Sequence, residues 1–280
     1  MEKIHTKNTI LDVKNWGKNV LRDAGISNYY NEINWYLKEI KKTQTLNDCD
    51  DLSQSEIFMF KSFIKKRSNN TPFQYLIKKA PFYKEDFFVN KDVLIPRPET
   101  ELIVRILNDK QQFFNAIDIG TGSGNLAITL RLNNSVKQIM GTDISREAIK
   151  VANKNAANLN VSNVSFMHHD FLTENLTQKY DLIVSNPPYI STKEYAGLDL
   201  HIKNFEPQIA LTDNGDGLSF YRHFATNIKN ILLPKGTMLL EIGYESNKDT
   251  IQSFFNDINC QIKWHKDYNN NYRVIEIYNE

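Results

Sequence analysis

The stretch Asp181-Leu-Ile-Val-Ser-Asn186-Pro-Pro-Tyr189 joins an apolar run to one carboxamide, two consecutive prolines and a phenol. Pro187 and Pro188 carry no N–H, so the main chain here offers carbonyl oxygens only, while Asn186 supplies an amide oxygen and two N–H donors. A site of this composition accepts hydrogen bonds from a planar NH2 group, and the Tyr189 ring can lie against the same plane. The nitrogen of an amide or of an exocyclic base amine is a poor nucleophile because its lone pair is delocalised. For an amide that delocalisation shows in a rotation barrier of about 18–20 kcal/mol. Two acceptors on the NH2 protons would hold the nitrogen with its lone pair aimed at an electrophile. Taken alone, the tetrapeptide reads equally well as a strand-ending turn, since prolines forbid helix and ladder alike. An electrophile site upstream decides between the two readings.

Such a site is present in Ala116-Ile-Asp-Ile-Gly-Thr-Gly-Ser-Gly-Asn125. Gly120, Gly122 and Gly124, with Thr121 and Ser123 between them, allow a ligand to approach the backbone where a strand turns into a helix. The spacing departs from the dinucleotide pattern Gly-x-Gly-x-x-Gly because position 125 is Asn. A second strand, Gln138–Asp143, ends on a carboxylate where a ribose diol would be held, although Asp143 would also serve as a cap for a helix beginning near Ser145. Asp170 follows a strand at Val164–Met167, where an adenine amino group lies in an open α/β sheet, and Phe171 can flank the ring. The adjacent His168 and His169 would point to opposite faces of a strand, which argues against a metal pair. Arg97, fixed between Pro96 and Pro98, is placed to face a carboxylate, and Glu99 and Glu101 suit the positive end of a helix starting at Pro98.

The elements that must position these residues fall into three stretches. Over residues 1–80 the apolar spacing predicts a small all-helical domain. Its first helix, over 10–24, ends at Gly25; a second is capped by Ser27 and carries Tyr30, Ile33, Leu37 and Ile40; a third opens on the capping box of Ser53 and Glu56. Lys65-Lys66-Arg67 at its end is either a partner contact or a run of cations suited to a helix C-terminus. Residues 81–97 read as a hairpin linker, with Phe82–Val89 and Val93–Ile95 turning about Asn90–Asp92. From 98 to 280, strands and helices alternate. The stretch from Tyr189 to about Asp216 reads as long and irregular, of a length that usually closes over a site. Beyond it come a helix over Phe220–Leu232, a turn at Pro234-Lys-Gly236, a strand over Thr237–Gly243, a further helix, and a terminal antiparallel hairpin of Ile262–His265 with Arg273–Tyr278.

Composition narrows the class. A chain of 280 residues with 41% hydrophobic and 24% charged residues and a net charge of +1 is that of an ordinary globular protein rather than a nucleic-acid scavenger. Cys49 and Cys260 form neither a disulfide framework nor a zinc pattern. No run approaches the roughly 18 apolar residues of a membrane span, and Met1–His5 lack the basic and apolar regions of a leader, so a cytoplasmic monomer is expected.

In the order Leu94-Ile-Pro-Arg-Pro-Glu-Thr-Glu101, Asp118-Ile-Gly-Thr-Gly-Ser-Gly124, Asp143, Ser185-Asn-Pro-Pro-Tyr-Ile190 and Phe205-Glu-Pro207, the whole chain resembles the release factor glutamine methyltransferases. The resemblance implies an α/β fold: a seven-stranded Rossmann-like sheet of the class-I methyltransferases, with the helical N-terminal domain recognising substrate. It implies S-adenosyl-L-methionine as cofactor and, as substrate, the side-chain amide nitrogen of the glutamine in the Gly-Gly-Gln motif of class-I peptide chain release factors. By position, Gly120 through Gly124 would cradle the methionine end of the cofactor and Asp143 its ribose. Asp170, Phe171 and Asn186 would complete the cofactor contacts, Phe171 standing where related chains often carry Trp. Asn186 and the Pro187 carbonyl would grip the substrate amide, with Pro188, Tyr189 and Arg97 lining the slot. The same turn would serve a methyltransferase acting on adenine or guanine amines of nucleic acid. That alternative needs a target-reading segment, and most residues after Tyr189 are required to finish the sheet. A catalytically silent binding module is the other rival, and the intact Asn-Pro-Pro-Tyr argues against it.

Overall fold

The computed structural model describes residues 9–243, 247–256, 258 and 260–279, so Met1–His5, read above for a leader, lie outside the described residues. The chain divides into two compact units, Met1–Lys78 and Lys79–Glu280.

The first unit holds α1 (Ile10–Asp23), α2 (Tyr29–Lys41), α3 (Gln54–Ser68) and the short α4 (Phe73–Ile77). Thr9 with Asp12 and Ser53 with Glu56 form reciprocal capping boxes that satisfy the first free N–H groups of α1 and α3. The apolar faces meet around Phe60, Phe63, Ile33 and Leu37, and Tyr36 stacks on Phe63 with ring centroids 4.0 Å apart. The start of α2 differs from expectation. Asn28, not Ser27, occupies the cap position, and its side chain accepts from Asn31 Nδ2 at 2.8 Å instead of from the main chain. The basic cluster is also partly committed. Arg67 donates through Nε and Nη2 to buried Glu32 at 2.6 and 3.1 Å, tying α3 to α2, while Lys65 and Lys66 remain exposed.

The second unit opens on a hairpin, but a tighter one than predicted. β1 (Ala80–Phe82) pairs with β2 (Glu85–Phe87) across Tyr83-Lys84, with Tyr83 at φ 58°. Val93 and Ile95 are buried without joining a strand, because the Ile95 N–H donates to Glu206 Oε2 at 3.2 Å and Pro96 has none to give. A 3-10 turn at Pro98–Thr100 leads into α5 (Glu101–Asn108). The sheet then builds through β3 (Phe113–Ile119), α6 (Asn125–Leu132), β4 (Val136–Asp143), α7 (Arg146–Asn158), β5 (Val164–His168) and β6 (Tyr180–Ser185). The 189–216 stretch is not irregular: it contains α8 (Thr192–Ala196), α9 (Leu200–Phe205) and a 3-10 turn at Gln208–Ala210. After α10 (Ser219–Ile231) comes β7 (Leu232–Glu241), in which Pro234-Lys-Gly236 makes a bulge rather than a separate turn. Its partners jump from Tyr180↔Leu232 to Leu182↔Thr237, with Lys235 at φ 62°. α11 (Lys248–Ser253) precedes the antiparallel pair β8 (Cys260–Lys266) and β9 (Tyr272–Asn279).

Among the described residues these strands form a seven-stranded sheet in the order β5-β4-β3-β6-β7-β9-β8, parallel except where β9 runs against both its neighbours. Alternate residues serve two cores. Ile117, Ile183 and Leu240 pack with Phe224 and Ile228 of α10, while Ala116, Leu182 and Leu239 pack with Ile103 of α5 and Leu130 of α6. The chain moves outward from β3 to β5 and then returns to the other side of β3. A crevice therefore opens beyond the carboxyl ends of β3 and β6, the usual ligand position in an open α/β sheet.

Candidate active site

Ile119 lies opposite Ser185, so the glycine turn and Asn186 leave the sheet side by side. Ser185 Oγ donates to the Ile119 carbonyl at 2.6 Å, which fixes the two exits together. The turn is also stitched to β4: the N–H groups of Gly120 and Thr121 donate to the Thr142 carbonyl at 2.9 and 2.8 Å. Gly122 sits at φ 55° with open space where a Cβ would stand, so its backbone is accessible to a ligand. Gly124 serves differently from expectation. A Cβ there would meet Phe166 at 3.0 Å and Ala152 at 3.1 Å, so this glycine permits close packing of α6 instead of ligand approach.

Asp143 terminates β4 and accepts from the Gly122 N–H through one oxygen and from the Ser145 N–H through the other, each at 2.9 Å. It thus supports the turn and the start of α7 together, with Ser145 as the actual cap. Burial pushes its carboxyl above the usual carboxylate range, and the two main-chain donors oppose that rise. Asp118, two residues before the turn, is fully buried and accepts from Thr121 Oγ1 at 2.6 Å. Burial pushes it up to about 7.

A cavity of about 290 Å³ lies over this crevice, lined by Gly120, Gly122, Asp143, Asp170, Phe171, Asn186 and Pro188, with Thr212 and Asn214 closing it from the loop side. Asp170 accepts from the Leu172 N–H at 3.1 Å and Thr173 Oγ1 at 2.7 Å in the turn that follows it, while Phe171 packs edge-on to His223 and against Phe224. A smaller cavity of about 90 Å³ is lined by Arg97, Asn186, Pro187 and Tyr189. Thr121, Ser123, Arg97 and Asn186 border a third, still smaller space. Asn186 borders all three.

The Asn186 side chain is oriented from behind. Its Nδ2 donates to Thr100 Oγ1 at 3.0 Å, which leaves Oδ1 as the acceptor available to a ligand. Tyr189 is packed against two glycines: its carbonyl abuts Gly217, and its ring lies where Gly243 would carry a Cβ, with Cε2 at 2.5 Å and Cγ at 3.1 Å from that position. Burial raises the Tyr189 hydroxyl above its ordinary value, so this group acts as a neutral wall. A Gly243→Ala change must therefore displace the Tyr189 ring. Because a misplacement of about 1 Å can cost about 10²-fold in rate, kcat/KM should fall by about that factor.

Arg97 does face a carboxylate, but one belonging to the same chain. Its Nη2 lies 2.6 Å from Glu206 Oε1, and Glu206 also holds the Ile95 N–H, so the pair binds the Pro-Arg-Pro segment to Phe205-Glu-Pro207. Sequence reasoning singled out both motifs without joining them. Thr100, Asp118 and Glu241 were not assigned roles; the available signal was a lone polar residue inside an apolar run, as in Leu239-Leu-Glu-Ile242.

These features suit S-adenosylmethionine: an open glycine backbone, a strand-end carboxylate, and a cavity with an aromatic wall. Comparison with known proteins agrees. Residues 98–204 match the family model of the methyltransferase small domain. The chain is 36% identical to the release factor glutamine methyltransferase of Bacillus subtilis, over 95% of this chain and 96% of that one. It is 37% identical to the Bacillus anthracis protein of the same name, over 86% and 88% of the two chains. A solved methyltransferase from Pyrococcus furiosus shares the fold, with a TM-score of 0.54 and 19% identity over 76% of this chain and 98% of that one.

Proposed function

The chain belongs to the release factor glutamine methyltransferase family, a family of S-adenosylmethionine-dependent enzymes, and we propose that its acceptor is the side-chain nitrogen, N5, of the glutamine in the Gly-Gly-Gln motif of class-I peptide chain release factors. The observation that carries this reading is the position of Asn186, whose side chain is oriented by Thr100 at the junction of the two larger cavities.

When bound, S-adenosylmethionine supplies an electrophilic methyl group. The Gly120–Gly124 turn and Asp143 would hold it on the large-cavity side. On the other side, Asn186 Oδ1 and the Pro187 carbonyl accept one N–H each from the glutamine carboxamide. Pro188 adds no competing donor, and the Tyr189 ring limits the carboxamide to one plane. With both protons held, the nitrogen lone pair points across the junction toward the side where the cofactor would offer its methyl group. Positioning and exclusion of water are the main sources of acceleration, together able to supply about 7–11 kcal/mol. The Arg97–Glu206 pair holds the wall of the slot. The helical unit is assigned to contact the body of the release factor, a role supported by its exposed Trp35 and Phe58. The reading places the enzyme in the cytoplasm with its substrate.

The test is mass spectrometry of a release factor incubated with enzyme and S-adenosylmethionine. A single methyl group on the Gly-Gly-Gln glutamine is expected. Transfer to nucleic acid with none to the release factor would overturn the reading.

A further inference from the structure

We infer that Asn155 is a positioning residue for the cofactor: its buried side-chain amide ties the glycine turn to the segment Phe88–Ile95, so that two walls of the large cavity are set by one group. This inference rests on the cofactor half of the reading above and is independent of the acceptor.

The buried face of α7 carries small and apolar side chains, Ala148, Val151 and Ala152, until it reaches Asn155, which is 1% exposed. A carboxamide is stable in such a place only when its hydrogen bonds are made. Here both donors and the acceptor are used. Asn155 Oδ1 accepts from the Phe88 N–H at 2.7 Å, while Nδ2 donates to the Phe88 carbonyl at 3.0 Å and to the Ser123 carbonyl at 2.8 Å. These partners lie 67 and 32 residues away in the chain, so the amide joins segments that nothing local connects.

The two bonds to Phe88 do for its main chain what a neighbouring strand would do. β2 ends at Phe87, and from Phe88 to Ile95 the chain belongs to no strand. Lys154 Nζ, on the adjacent position of α7, stands 3.4 Å from the centre of the Phe88 ring. A turn in which Asn90 Oδ1 accepts from the Asp92 N–H at 3.1 Å, and the Asn90 carbonyl from the Val93 N–H at 3.2 Å, then delivers Asp92, Val93 and Leu94 to the cavity wall. The Ile95 N–H is taken by Glu206. This wall is therefore a strap with an anchor at each end, and Asn155 is the first of them.

The third bond acts on the turn. Ser123 lies between Gly122 at φ 55° and Gly124 at φ 77°, two residues that offer little resistance to rotation of the peptide planes beside it. Holding the Ser123 carbonyl toward α7 fixes the direction in which Gly122 presents its open backbone to the cavity. A ligand in the cavity meets Gly122 on one wall and Val93 on another, and the same side chain sets both. Aspartate keeps the shape of this residue but has no donor when ionised, leucine has neither donor nor acceptor, and glutamine carries its amide one methylene too far.

The experiment is calorimetry of S-adenosylhomocysteine with the native chain, Asn155→Asp, Asn155→Leu and Val151→Ala, beside thermal unfolding of each. Val151 lies one turn from Asn155 on the same buried face, so trimming it costs stability without touching the three bonds. Both Asn155 variants should bind about 10- to 100-fold more weakly per folded molecule, the range set by leaving a buried carbonyl without its donor, and Val151→Ala should stay within about twofold of native. Amide hydrogen exchange in the native chain adds a reading that needs no variant. At saturating S-adenosylhomocysteine the Phe88 N–H, held by Asn155, should exchange about tenfold more slowly or less, while the Tyr83 N–H, held by Glu101 Oε1 at 3.0 Å, should keep its rate. An Asn155 that only supports the fold would lower the melting temperature and leave affinity native. A folded Asn155→Asp with native affinity, a loss of affinity matched by Val151→Ala, or a Phe88 exchange rate indifferent to the ligand overturns the inference alone. A native chain that does not bind S-adenosylhomocysteine overturns the cofactor reading, and this inference with it.

Discussion

Asn186→Ala should lower kcat by about 10²–10³-fold, the range seen when one pre-aligned hydrogen-bonding group is removed from a reacting centre, while cofactor affinity stays within about twofold. The two effects separate because different atoms of the residue face different partners. The side chain is fixed by Thr100 and leaves Oδ1 open to the slot, whereas the main-chain carbonyl is the part that approaches the glycine turn, 3.9 Å from where a Cβ on Gly120 would stand. Alanine deletes the first and keeps the second, and Pro187 and Pro188 hold the backbone path unaided. KM for the release factor should rise only modestly, since a single side-chain contact is lost from a protein-sized interface. The loss falls on the step in which the carboxamide nitrogen must be held in line with the methyl group. Calorimetry with the cofactor and single-turnover transfer to a release factor measure the two quantities. A variant with near-native kcat would remove Asn186 from the chemistry.

That a site of this kind exists was legible in the chain because its main parts are local. The glycine turn, the strand-end Asp143 and Asn186-Pro-Pro-Tyr189 each follow an apolar strand directly, and the order of strands in a doubly wound sheet brings those ends together. What could not be read locally is how the parts are braced. Arg97 and Glu206 are 109 residues apart, and Asn186 and Thr100 are 86 apart, so no spacing rule connects them. The hairpin was misplaced because Phe82–Val89 carries no glycine or proline; its reversal at Tyr83 depends on a left-handed residue that sequence pattern does not favour. The bulge at Pro234-Lys-Gly236 carries turn residues, yet pairing with β6 resumes beyond it and absorbs them into the strand. The helices between Tyr189 and Asp216 are a different case. Ser191 and Glu194 form a capping box that announces α8 in the sequence itself.

The second large effect is expected at Asp143. In Asp143→Ala the cofactor should bind about 100-fold more weakly, while kcat at saturating cofactor recovers to within a few-fold of native. The carboxylate supports the Gly122 N–H and the Ser145 N–H at 2.9 Å each, so its removal loosens the glycine turn as well as deleting the acceptor proposed for the ribose hydroxyls. A hydrogen bond to a charged group contributes about 1.5–3 kcal/mol, and losing one such contact to the ligand already accounts for about a 10- to 100-fold change. Asp143→Asn should fall close to alanine, because its single amide oxygen can satisfy only one of the two main-chain donors and its NH2 then confronts the other. The fold itself should tolerate both changes. Burial raises the Asp143 carboxyl, so the charged form is desolvated at some cost that either substitution relieves. The acceptor slot is built from the exit of β6, the Thr100 turn and Gly243, none of which leans on Asp143, and this is why the rate should return once the cofactor is saturating. If calorimetry instead shows native affinity while kcat collapses, the division of the crevice into a cofactor side and an acceptor side is wrong.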